Sequence, residues 1–115
     1  MAACGIDLVL NAEVSGTTST HIGSARILTG SNTNVSFRAM MGNTTVATAS
    51  LEIKRFTGGS TITTLTGSGI GINDISGSAQ SVSGIGLVND WYDFYASGSS
   101  AGTSTLVKGI KITLY

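Results

Sequence analysis

From Ile6 to Leu114 the apolar residues of this chain recur mostly at every second position, a period that suits strands with two unlike faces and not helices. Ile6, Leu8, Leu10, Ala12 and Val14 share one side of the first run, with Asp7, Asn11 and Glu13 opposite. Residues 20–29 read as a second strand, Ala25 and Ile27 facing one way and Arg26 and Leu28 the other. Val35, Phe37, Ala39 and Met41 then alternate with Ser36, Arg38 and Met40. Ala47, Ala49, Leu51 and Ile53 alternate with Ser50, Glu52 and Lys54. In the last run Leu106, Lys108, Ile110, Ile112 and Leu114 are expected on one face, and Val107, Gly109, Lys111, Thr113 and Tyr115 on the other. No window of about a dozen residues combines helical spacing with caps. The pattern predicts an all-β chain: a single antiparallel β-sandwich, jelly-roll-like or immunoglobulin-like, of about eight strands. Residues 6–115 are the expected sandwich domain and residues 1–5 a short N-terminal arm. The first and last runs, both strongly patterned, are expected to pair or to lie side by side.

Proline is absent, so turns fall to Gly, Asn, Asp and Ser. Gly58-Gly59, between "SLEIKRF" and "STITTL", marks a tight hairpin. The segment Gly69-Ile70-Gly71-Ile72-Asn73-Asp74 is echoed by Gly84-Ile85-Gly86-Leu87-Val88-Asn89-Asp90, which suggests two short strands, each closed by an Asn-Asp turn. Gly, Ser and Thr supply 48 of the 115 residues, a bias that would suit disorder in a polar chain. Here 41% of residues are hydrophobic, many of them β-branched, and folding is the reading that follows.

Six basic and six acidic side chains cancel. Capture of nucleic acid or of an anionic membrane needs a basic face that releases counterions, so neither is an expected partner. Cys4 is the sole cysteine, which excludes an intramolecular disulfide and a cysteine-based zinc cluster and predicts a free thiol. "MAACGIDLVL" lacks a basic leader and breaks its apolar run at Asp7, so neither a signal peptide nor a membrane span is expected. The sequons at Asn34 and Asn43 would matter only on a secretory route.

Candidate chemistry is sparse. His21, the only histidine, falls in a predicted strand, and no serine spacing selects a Ser-His-Asp set around it. Gly98-Ser99-Ser100-Ala101-Gly102 matches G-x-S-x-G in form, but no helix follows to build a nucleophile elbow. Asp74, Asp90 and Asp93 could offer oxygens to calcium, yet the Asn-Asp pairs read first as turns. Lys54-Arg55 is too small for a nucleic-acid footprint. No catalytic residue, metal ligand or cofactor site is assigned, and a non-enzymatic protein is expected.

Four of the seven aromatics, Trp91, Tyr92, Phe94 and Tyr95, crowd into "NDWYDFYASG". Alternation sets Trp91, Asp93 and Tyr95 on one face and Tyr92, Phe94 and Ala96 on the other. A buried unpaired carboxylate is costly, so Asp93 marks the wetter face. Tyr92 and Phe94 are then expected in the core; Trp91 is either covered by its own sandwich or, with Asp93 and Tyr95, part of a platform for a partner protein or a glycan.

The stretches "GIDLVLNAEV", "SLEIKRFTGGSTITTL", "DWYDFYASG" and "LVKGIKITLY" together resemble the small β-sandwich accessory proteins of tailed-bacteriophage particles. That resemblance implies a virion structural protein, a capsid decoration (cement) protein or a comparable head or tail component. Such a protein would act as a homo-oligomer on the major capsid protein, with Met1, Ala2, Ala3 and Cys4 as arm contacts to neighbours. The alternative carried forward is a glycan-binding or receptor-binding module that uses Trp91, Asp93 and Tyr95. A small hydrolase dependent on His21 stands third.

Overall fold

The computed structural model describes residues 4–115, and among them every regular element is a strand. The strands are β1 (Cys4–Ser15), β2 (Thr20–Ile27), β3 (Asn34–Asn43), β4 (Thr48–Arg55), β5 (Thr61–Ser68), β6 (Asn73–Ser76), β7 (Gln80–Ser81), β8 (Asp90–Gly98) and β9 (Ser104–Leu114). They form two antiparallel sheets, one ordered β1-β9-β3-β6 with β7 also paired to β3, the other ordered β2-β8-β4-β5. Most connections cross between the sheets, β4–β5 and β6–β7 being the two that do not; β9 inserts between β1 and β3 while β8 inserts between β2 and β4. This nested order is a jelly roll, which decides between the two sandwich types the sequence allowed. The first and last runs do pair, from Cys4–Leu114 to Ser15–Ser104.

The core lies where the inward residues of both sheets meet. From the five-stranded sheet come Val35, Phe37, Ala39, Met41, Val107, Ile110, Ile112 and Leu114, and from the other Ala25, Ile27, Leu51, Ile53, Tyr92, Phe94 and Ala96, all buried. Ile6, Leu8 and Leu10 of β1 are only partly buried, as befits a strand at the edge of its sheet. The β4–β5 hairpin turns through Gly58 and Gly59, both at positive φ (86° and 71°), a conformation glycine adopts without a Cβ penalty.

Three expectations change. First, the two halves of β9 do not share one phase. Met40 and Met41 of β3 face Gly109 and Val107, which leaves Lys108 as an extra residue, a β-bulge. Val107 is therefore buried along with Ile110, and Leu106 and Lys108 do not join the Ile110 face. On the other side, Leu10 and Asn11 of β1 oppose Lys108, with Asn11 at φ 47° absorbing the kink. Second, Asn73-Asp74 closes no turn; both residues are in β6, paired with Met41 and Met40. Third, Cys4 and Gly5 belong to β1 rather than to an arm, while Met1, Ala2 and Ala3 lie outside the described residues.

Candidate functional site

On β8 the inward set Tyr92, Phe94 and Ala96 is fully buried, which turns Trp91, Asp93 and Tyr95 to the outer face of the four-stranded sheet. The residues before β8 fix where that face begins. Tyr92 Oη donates to Val88 O at 2.9 Å and accepts from Val88 N at 2.8 Å, so a core side chain anchors the incoming loop. Asn89 Oδ1 accepts from the amide (2.7 Å) and the hydroxyl (2.9 Å) of Thr29, binding that loop to the β2–β3 connection. Asp90 Oδ1 accepts from Trp91 N at 2.8 Å, and its Oδ2 meets Arg55 Nε at 3.2 Å. The Trp91 amide does most to hold the Asp90 carboxyl below the ordinary carboxylate range; partial desolvation opposes it, and Arg55 and Thr57 add to the lowering. Phe56 N donates to Trp91 O at 3.0 Å, which brings the start of the β4–β5 turn beside the tryptophan. The Asn-Asp pair expected to make a turn is a clamp that sets Trp91 in place.

Strand register then determines what surrounds Trp91. Arg26 lies opposite Trp91, Ser24 and Lys54 flank Asp93, and His21 and Glu52 flank Tyr95. A bulge at Ile22 puts His21 and Ser24 on one face although they are three residues apart. Ser24, Phe56, Trp91 and Asp93 line an open pocket of about 300 Å³. Trp91 is 51% exposed and Phe56 66%, so two large apolar surfaces stand in water beside a carboxylate.

Ser24 Oγ donates to Asp93 Oδ1 at 2.6 Å, and His21 Nε2 is 2.9 Å from Ser24 Oγ and 3.4 Å from Asp93 Oδ1. With the serine proton committed to the carboxylate, the hydroxyl oxygen accepts from His21, which assigns the Nε2–H tautomer. A hydrolytic relay needs the serine proton directed at the imidazole and the carboxylate on the opposite ring nitrogen. Here serine and aspartate share one nitrogen, so the three side chains hold the Asp93 carboxylate in orientation and do not activate Ser24.

Of the predicted platform, Trp91 and Asp93 reach the pocket, whereas Tyr95 lies in a neighbouring cluster. Its ring packs at 5.3 Å and 52° against His21, and Lys54 Nζ sits 4.8 Å from its centroid. Phe56 and Ser24 are the residues that sequence reading missed. Cys4 is exposed at the start of β1, in the other sheet, and so does not join this face. Asp74 is in that other sheet too, paired with Arg38 at 3.0 Å. Among the described residues no three His, Cys, Asp or Glu side chains are grouped to hold a metal ion, and no helix is long and apolar enough to cross a membrane.

No protein-family model and no curated protein sequence matches the chain. Solved structures match its fold. The CBM36-1 domain of a multidomain xylanase from the hindgut metagenome of Trinervitermes trinervoides superposes with a TM-score of 0.68 at 10% identity, covering 95% of this chain and 96% of that one. A carbohydrate-binding module CBM36 in complex with calcium and xylotriose gives 0.56 at 15% identity, covering 97% and 88%. The infectious bursal disease virus VP2 subviral particle gives 0.60 at 14% identity; it covers 97% of this chain but only 32% of the viral one. At such identities the likeness is one of fold.

Proposed function

We propose that this chain is a non-catalytic binding module that takes a saccharide on the outer face of the β2-β8-β4-β5 sheet. The observation that carries the reading is the pocket where exposed Trp91 and Phe56 adjoin an Asp93 carboxylate held by Ser24 and His21. A pyranose has an apolar C–H face and a rim of hydroxyls. Trp91 and Phe56 offer surface to the first, and Asp93 Oδ2 accepts from the second in a charge-assisted bond. Because Ser24 and His21 already fix the carboxylate, little side-chain entropy is lost on binding.

Covering the exposed part of Trp91 removes roughly 100 Å² from water, about 2–3 kcal/mol, and one charge-assisted hydrogen bond adds about 1.5–3 kcal/mol. Together these come to about 3.5–6 kcal/mol before the cost of association, which offsets much of it, so a single site binds no tighter than the millimolar range. Multiple copies would be needed for firm attachment. The near-complete mutual coverage with the xylanase's CBM36-1 domain supports the reading. Affinity electrophoresis of the protein and its Trp91→Ala and Phe56→Ala variants through gels containing xylan, glucan or mannan tests it. The proposal expects retardation in at least one gel that both substitutions reduce; equal mobility of all three proteins in every gel would overturn it.

A second reading is supported by a different face. Val9 (76% exposed) and Met40 flank Gly109 in register on the outer side of the five-stranded sheet, leaving an apolar strip bare. In this reading the chain is a bacteriophage capsid decoration protein, a homo-oligomer in the virion that stabilises the assembled lattice by binding the major capsid protein. The resemblance to the viral particle protein supports it. Native mass spectrometry and cosedimentation with purified particles test it, and a monomer that leaves particles unbound would count against it.

A further inference from the structure

On the face opposite the saccharide pocket, the five-stranded sheet carries a polar pocket of about 320 Å³, lined in part by Ser36, Arg38, Ser76, Lys111 and Thr113. We infer that it is a site for a tetrahedral oxyanion, a sulfate or phosphate group. Register brings the donors together: Arg38 of β3 faces Lys111 of β9, Ser36 faces Thr113, and Ser76 of β6 lies on the other side of Arg38. Two cations directly opposite each other across a strand pair repel, and an anion between them turns that cost into a gain.

The guanidinium is held in a way that leaves it free for a ligand. Arg38 Nε donates to Ser76 Oγ at 3.0 Å and pairs with Asp74 Oδ1 at 3.0 Å, leaving its two terminal nitrogens for an incoming oxygen. Since Ser76 Oγ accepts that bond, its own proton remains to be donated. Lys111 forms no ion pair among the described residues, although Asp7 is its register partner on β1. Guanidinium, ammonium and three hydroxyls together offer more donors than the two oxygens of a carboxylate absorb, and they match the three free oxygens of a sulfate or phosphate ester. Asp7 stands beside Lys111 at the β1 end of the row, and Asp74, two residues along β6 from Ser76, reaches Arg38 diagonally, so the positive region is confined. A compact anion fits it; an extended polyanion would meet both carboxylates.

Titrations at fixed ionic strength, balanced with chloride and followed by backbone amide NMR shifts, test the assignment with inorganic sulfate, inorganic phosphate, galactose 6-sulfate and galactose. The expected result is saturable shifts at Lys111, Arg38 and Thr113 with the anions and none there with galactose. Lys111→Gln should weaken binding about tenfold, in line with loss of one charge-assisted bond. Asp7→Asn, which removes a competing charge and no donor, should tighten it several-fold. Tighter binding of galactose 6-sulfate than of free sulfate assigns the ester as the natural form; equal binding assigns the free anion. Linear shifts without saturation, or saturation indifferent to both substitutions, mean an adventitious ion only and overturn the inference. Trp91→Ala should leave these shifts unchanged, so the two proposed sites succeed or fail separately.

Discussion

Replacing Tyr92 with Phe removes one oxygen from the core and, with it, both hydrogen bonds that anchor Val88 ahead of the candidate site. The ring keeps its place, buried to 0% exposure, so the apolar transfer term hardly changes. What is lost is one donated and one accepted bond, each worth about 0.5–1.5 kcal/mol net. Val88 is 40% exposed, and water can reach its freed backbone groups in part. The loss therefore falls near the lower end, about 1–2 kcal/mol. With an unfolding entropy of about 2.1 cal/mol/K per residue, that lowers Tm by roughly 4–8 °C in a chain of 115 residues. Urea denaturation should show the same loss with an unchanged m-value, because native compactness is preserved. The Val88 amide should exchange faster with solvent, and saccharide affinity should fall, since the loop leads directly to Asp90 and Trp91. A Tm within about 1 °C of the parent would refute the view that Tyr92 anchors this loop. A loss beyond about 4 kcal/mol would refute the view that the hydroxyl supports the loop alone.

Gly42→Ala should be among the most damaging small substitutions. A Cβ there would overlap the carbonyl of Gly71, forcing back a segment bonded to Asn43 through Gly71 N (2.8 Å) and Gly69 O (3.3 Å). The expected loss is about 3 kcal/mol, measured by urea denaturation. Asp90→Asn should destabilise the protein at neutral pH. Because the folded pKa of Asp90 is lowered, its stabilisation is present above the unfolded value of about 3.9 and is lost as pH falls through the folded value. The gap between parent and variant in denaturation midpoint should thus be constant from about pH 5 to 7 and close below about pH 4. His21→Ala should shift stability by no more than about 0.5 kcal/mol and weaken saccharide binding less than Asp93→Asn does, since His21 only orients the carboxylate.

Much of the fold was legible because period-two alternation survives wherever a strand has one wet face. β3 and β4 alternate in phase through Met41 and Ile53, and β8 divides at Trp91 and Tyr92 as expected. Alternation was silent where an extra residue resets the phase. The bulge at Lys108 splits β9 into two registers, and the bulge at Ile22 brings His21 beside Ser24. Both events depend on the partner strand, which no local pattern encodes. The candidate site was half legible for the same reason. Trp91 and Asp93 could be placed on a face from their own strand, and Asp93 could be identified as the wet marker. Phe56 arrives from the end of the neighbouring strand β4 through one backbone bond to Trp91, and its presence depends on how β4 pairs with β8. Tyr95 follows the alternation, and it packs against Lys54 and His21 beside the pocket rather than lining it. The Asn-Asp pairs misled for two reasons: Asn73 and Asp74 are ladder residues of β6, while the side chains of the other pair serve long-range bonds, Asn89 to Thr29 and Asp90 to Arg55.

The most direct test of the central claim uses the protein's single tryptophan, which lines the pocket and reports on it without a label. Titrating neutral oligosaccharides of xylose, glucose, mannose and galactose while recording Trp91 emission should give, for at least one series, a saturable change that Asp93→Asn weakens about tenfold. Emission that stays flat through roughly 50 mM of every sugar would contradict the saccharide assignment.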